Sequence, residues 1–136
     1  MIARRLRFGV TLALAVVVLS LGAANGDPRR GARVFQMCVS CHSVDPTEAS
    51  KRLPGPALLG IFGRVAGTWQ DFPDYSDFMI AAGMRGLVWN ETTIDAYVAD
   101  PMVVVPGTTM NFLGVPDAAD RTDLIAYLKK SSVNDR

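Results

Sequence analysis

The chain has 136 residues, room for one domain of ordinary size and not for two. Its 14 Lys+Arg stand against 13 Asp+Glu, a balance that excludes a strongly basic nucleic-acid binder, and its two cysteines cannot build a multi-bridge secreted scaffold. A single histidine excludes zinc sites with two histidines and any histidine triad that does not use His42.

The chain begins with Arg4, Arg5 and Arg7, continues through an uncharged stretch rich in Leu, Val and Ala, and reaches small residues at Gly22–Gly26. Basic, apolar, small is the order of a secretory signal peptide, with cleavage after Ala24 or Gly26. The rival reading is an uncleaved anchor, since the 19 residues from Phe8 to Gly26 approach the ~20 needed to span a bilayer. Gly22–Gly26 is poorly apolar, so residues 1–24 read as a signal peptide and 25–136 as the exported domain. Without its three leading arginines the mature chain has eleven basic and thirteen acidic residues and is mildly acidic.

The pattern beyond the leader is helical. A helix is expected at Arg29–Val39, with Pro28 in its first turn and Ala32, Phe35 and Gln36 near one face. A short helix fits Phe78–Gly83. Glu91–Ala99 places Ile94, Tyr97 and Val98 at i, i+3, i+4, and Pro101 stops it. Ala118–Ser131 places Leu124, Tyr127 and Leu128 the same way, with Asp117 as its cap and Lys129 and Lys130 at the negative end of its dipole. Val103–Val105 is β-branched but fenced by Pro101 and Pro106, too short to found a sheet. Between the first two main helices, residues 40–90 are rich in Gly, Pro and Asp. So long a loop in a small domain makes sense when a large apolar cofactor fills the centre.

Cys38-Val39-Ser40-Cys41-His42 is C-x-x-C-H, the attachment signature of c-type haem. Two thiols three residues apart can each form a thioether to one haem vinyl group, and the next residue then lies under the iron. Three plainer readings compete. A thioredoxin-like redox pair needs a βαβ context that the pattern lacks. A zinc site needs a further Cys or His that the chain lacks. A structural disulfide leaves His42 without a role. The second iron ligand is open among Met79, Met84, Met102 and Met110, because Met37 adjoins Cys38 on the proximal side. Met110 lies in the irregular stretch Pro106-Gly107-Thr108-Thr109-Met110, which can bend around a flat ring.

From Arg29 to Lys130 the sequence resembles class I mono-haem cytochrome c of the mitochondrial and bacterial type. The residues that carry the likeness, in order, are Gly31 and Phe35; C-x-x-C-H; Gly55-Pro56-x-Leu58-x-Gly60-Ile61-Phe62-Gly63-Arg64; Tyr75-Ser76; Trp89; Tyr97; Pro101; Pro106-Gly107-Thr108-x-Met110-x-Phe112; and Asp123–Lys130. The resemblance implies an all-α fold, the small cytochrome c fold, with three main helices, short helices and long loops around one haem c. It implies that Cys38 and Cys41 hold the haem and that His42 and Met110 ligate the iron. The Pro56 carbonyl would accept the other ring N–H of His42. Arg64, Tyr75, Trp89 and Thr108 would serve the propionates, and Tyr97 would hydrogen-bond near the Met110 sulfur. Gly31 and Phe35 would pack on Leu124 and Tyr127, crossing the first and last helices.

The implied activity is one-electron carriage in the periplasm by a monomeric protein with no catalytic residues of its own. Transient partners would be a membrane quinol-oxidising complex and a terminal oxidase or reductase, or a photosynthetic reaction centre. Membrane contact is expected only if the leader stays attached. Two alternatives remain open: a haem-based sensor or peroxidase from which Met110 dissociates, and an electron-entry subunit of a larger redox enzyme. The stretch from Asp71 to Trp89 is longer than in the mitochondrial pattern. Met102, Val103 and Thr109 stand where that pattern has lysines. Met102, Val103 and Val104 then suggest a small apolar contact with weak salt dependence.

Overall fold

The computed structural model describes residues 25–133, so the leader and the expected boundary after residue 24 lie outside the described residues. Five α-helices follow in chain order: α1 (Pro28–Val34), α2 (Asp77–Met84), α3 (Glu91–Ala99), α4 (Pro101–Val104) and α5 (Ala118–Val133). Tight 3₁₀ turns cover Phe35–Met37 and Ser50–Arg52. Among the described residues there is no strand, only an isolated antiparallel bridge between Val65 and Val88. The chain is all-α, as expected.

Local chemistry explains the boundaries. Asp27 caps α1 by accepting the Arg29 N–H at 2.8 Å, and Pro28 takes the first position, where a missing N–H costs nothing. The expected helix to Val39 ends sooner, tightening into 3₁₀ geometry at Phe35. Asn90 and Thr93 form a reciprocal capping box that starts α3. Asp100 then serves twice: its N–H closes α3 on the Ala96 carbonyl, and its side chain accepts from Met102 and Val103 to open α4. Pro101 both stops one helix and begins the next, so Val103 and Val104 of the β-branched run are helical and Val105 follows as the C-cap. Asp117 caps α5 through the N–H groups of Ala119 (2.7 Å) and Asp120 (3.1 Å), as expected.

The dominant packing is α1 across α5. A Cβ on Gly31 would overlap the Asp123 carbonyl oxygen and the Tyr127 Cβ, so only glycine lets the backbones approach this closely. Phe35 and Tyr127 rings lie 5.2 Å apart beside this crossing, and Leu124 is 1% exposed beneath it. Arg30 Nε donates to Asp123 at 2.6 Å, and the same carboxylate accepts the Asp27 N–H. α3 rests on α5 and is tied to it by Arg121–Asp95 at 2.8 Å and by Lys129–Glu91. The loops, by contrast, are held by scattered hydrogen bonds, many of them backbone to backbone. Gly63 N–H donates to Trp89 O (2.8 Å), Trp89 N–H to Arg64 O (2.9 Å), and Ala66 N–H to Leu87 O (2.9 Å). These clamp residues 63–66 against 87–89 and define one flank of a central cavity.

Candidate haem site

The cavity, about 370 Å³, lies between the C-x-x-C-H turn and the loop around Met110, and its wall is mainly apolar. The backbone from Cys38 to His42 winds through one turn: Cys41 N–H and His42 N–H both donate to the Cys38 carbonyl, at 3.0 and 2.8 Å. Residues at i, i+3 and i+4 of such a turn share a face. Cys38, Cys41 and His42 accordingly all line the cavity.

The two thiols are not bonded to each other. Burial, with Cys41 nearby, pushes the Cys38 thiol up to about 11. Before attachment it would therefore stay protonated at neutral pH, unlike the low-pKa thiolate of a disulfide-exchange centre.

The imidazole is strapped from below. Gly55 N–H donates to Cys41 O at 2.9 Å, and a Cβ on Gly55 would run into the His42 ring. The His42 Nδ1 lies 2.8 Å from the Pro56 carbonyl oxygen. A carbonyl can only accept, so Nδ1 carries the proton and Nε2 keeps its lone pair. Burial lowers the His42 pKa below its ordinary 6.5, partly offset by the Pro56 bond, which favours the neutral ring at physiological pH.

The methionines separate by position. Met84 is 85% exposed and Met102 53% exposed, and neither lines the cavity. Met79 and Met110 both do. Met79 is buried in the hydrophobic core from α2, whereas Met110 is half-buried on a segment outside the helices. That segment is positioned by Tyr97: its hydroxyl lies 2.8 Å from Thr108 Oγ1, which also accepts the Met110 N–H at 3.3 Å. The Tyr97 hydroxyl, expected to bond near the Met110 sulfur, meets Thr108 two residues before it, because α3 aims the hydroxyl at the residue where the loop turns. Burial raises the Tyr97 pKa and the Thr108 bond opposes it.

Arg64, Tyr75, Trp89 and Thr108, expected around the propionates, all line the same cavity. Trp89 is 7% exposed with its ring 5.0 Å from that of Tyr97. Arg64 donates to the Ala57 carbonyl at 2.8 Å and to the Leu59 carbonyl. Among the described residues no carboxylate lies within 4.0 Å of it. A half-buried guanidinium with spare N–H donors and no acidic partner suits an anion inside the cavity. Burial lowers the Arg64 pKa and raises that of Tyr75; a hydrogen bond with the Trp69 backbone and the charge of Arg64 pull Tyr75 back. Trp69 was not singled out in the sequence, yet its ring lies 4.1 Å from the Arg64 guanidinium carbon. Of the expected apolar rim, Met102 and Val103 are exposed, whereas Val104 is half-buried and packs against the core.

Two free thiols, a lone-pair nitrogen, a mainly apolar wall and an unpaired cation fit a porphyrin with two vinyl and two carboxylate groups. Comparisons with known proteins agree. The family model "Cytochrome c" matches residues 28–132. The chain belongs to the cytochrome c family. Cytochrome c2 of Blastochloris viridis is 41% identical over 127 residues, which is 93% of each chain. Cytochrome c of Gibberella zeae is 41% identical over 110 residues, 80% of this chain and 98% of that one. The solved structure of cytochrome c2 from Rhodospirillum centenum superposes with a TM-score of 0.71 at 40% identity, covering 79% of this chain and 99% of that one. This cytochrome carries one haem c bound covalently through Cys38 and Cys41, and it is an electron carrier.

Proposed function

We propose that this cytochrome is an exported, periplasmic one-electron carrier whose haem iron is held between His42 Nε2 and the Met110 sulfur. The observation that carries the reading is a single cavity wall that includes both side chains, with the His42 N–H already spent on Pro56. The bound haem supplies the one-electron couple between ferric and ferrous iron. The chain's own residues do the rest. Pro56 and Gly55 fix the plane of the imidazole. Thr108 and Tyr97 hold the Met110 segment against the cavity. Thioether sulfur favours the ferrous state and raises the potential. His42 and Met110 would both hold the iron and leave it no site for an external ligand, which favours carriage over a sensor or peroxidase.

Export rests on the basic–apolar–small order of residues 1–24, which we read as a cleaved signal peptide. Among the described residues no helix is long and apolar enough to cross a membrane. We assign the partners to a membrane quinol-oxidising complex and a terminal oxidase or reductase, or a photosynthetic centre. Electrons would leave at the cavity edge near Cys38 and Cys41, where Met37 and Val39 are exposed. With Met102 and Val103 also uncharged and exposed, docking would depend only weakly on salt.

The ferric absorption spectrum tests the ligand assignment. Met110→Ala is expected to abolish the sulfur-to-iron band and to let the ferrous protein bind carbon monoxide at neutral pH. Met79→Leu should leave the band in place. A band lost in the Met79 variant and kept in the Met110 variant would reverse the assignment.

A further inference from the structure

Arg64 is the only one of its kind in this cavity: a cation on the wall with no protein carboxylate in reach among the described residues. Its plane is set by three groups. The Ala57 and Leu59 carbonyls take one N–H from each terminal nitrogen. The third is Trp69, whose ring covers the guanidinium face with 4.1 Å between guanidinium carbon and ring centroid. Trp69 is half-buried and does not line the cavity that Arg64 lines; it borders a small outer crevice with Lys51 and Asp71. It therefore lies on the solvent side of the guanidinium. Its own loop is anchored on both sides. Thr68 Oγ1 donates to Val65 O at 2.8 Å, and Phe72 N–H donates to Trp69 O at 3.2 Å. Phe72 and Tyr75, edge to face at 4.9 Å, continue from it into the cavity wall.

We propose that Trp69 is a positioning residue for the redox centre: by stacking on Arg64 it keeps that charge fixed and shielded from water at the end of the cavity that takes the haem carboxylates. The inference rests on the assignment of Arg64 to the propionates and goes beyond it by naming what makes the charge effective. A planar delocalised cation suits an aromatic face better than a hydrated ammonium does. Covering its outer face removes water that would screen it, so its field acts through a less polarisable medium. A fixed positive charge at the propionates offsets their negative charge and favours the added electron. The stack therefore raises the reduction potential without touching haem.

Spectroelectrochemical titration of the holoprotein tests this. Trp69→Leu is expected to lower the potential by a three- to tenfold loss of electron affinity, tenfold being 59 mV for one electron. Trp69→Phe, which keeps an aromatic face, should recover most of the loss. Arg64→Leu should lower the potential further, and adding Trp69→Leu to it should change nothing more. Arg64→Lys, which keeps the charge but not the plane, substitutes if Arg64→Leu yields no holoprotein; the Trp69 effect should shrink in that background too. A Trp69→Leu shift that is equal with and without Arg64 would mean direct action and overturn the proposal. So would a variant that melts earlier at unchanged potential, which would make Trp69 a structural cover. If Arg64→Leu itself leaves the potential unmoved, the propionate assignment fails first and the proposal with it.

Discussion

The α1–α5 crossing and the loop-built wall opposite it solve the same packing problem by different means. At the crossing, protein meets protein: Gly31 lets two backbones touch, Phe35, Leu124 and Tyr127 fill the seam, and Arg30–Asp123 closes its end. At the wall, residues 54–76 and 105–112 are held by scattered backbone bonds and a few side-chain bonds, those of Arg64, Thr68 and Thr108, and turn apolar side chains toward a cavity of about 370 Å³. The first region can be stabilised by contacts encoded in side-chain size. The second packs Ile61, Ala66 and Val105 into the core but leaves its cavity-facing side without a protein partner, so its stability depends in part on what the thiols attach. The contrast teaches that in this domain the cofactor is a structural element as much as a redox centre, as expected for a helical chain of this size.

The contrast breaks most severely if the tether is removed. The double variant Cys38→Ser, Cys41→Ser should show the intact mass of polypeptide alone and lose the cooperative thermal transition; a variant that melts like the parent would make the wall self-supporting. A smaller effect sharpens the other side. Gly31→Ala should destabilise by about 1–3 kcal/mol in urea unfolding through overpacking, although alanine is the better helix former. Its reduction potential should stay unchanged, since the crossing does not touch the propionate end.

The smallest effect separates the seam by pH. Arg30, then the Asp27 N–H, hold the Asp123 carboxyl below its ordinary 3.8. A depressed folded-state pKa adds stability that is fully present above the unfolded value and disappears as pH falls through the folded one. Asp123→Asn should therefore melt below the parent at neutral pH, and the gap should close as pH drops below 3.8. A gap that persists in acid would assign the loss to shape rather than charge.

The sequence was most informative where a motif is local. The limits of α3 and the start of α5 follow from capping residues a few positions away, and C-x-x-C-H marks its own chemistry. Gly31 and Phe35 against Tyr127 came from the family likeness and hold in the geometry. What stayed illegible depends on how loops face one another. α4 was hidden because Pro101 was read only as a terminator, while Asp100 makes it a starter. Val104 could not be separated from Met102 and Val103 without knowing which side of that single turn faces the core. That Thr108 is the partner of Tyr97 follows from a side-chain direction that no spacing encodes. Trp69 lies in the stretch after Arg64 where nothing periodic exists, and only folding sets it over the guanidinium.

The turn from Cys38 to His42 carries one more consequence, for the order of assembly. The two hydrogen bonds that close the turn, from the Cys41 and His42 N–H groups to Cys38 O, join residues no more than four apart, and the Gly55 bond to Cys41 O is added from downstream. Pro56 and Met110 also arrive from later in the chain. On the proposed export route, a nascent polypeptide can offer the thioether-forming pentapeptide before the remainder has been delivered, and maturation can proceed outward from that first covalent foothold.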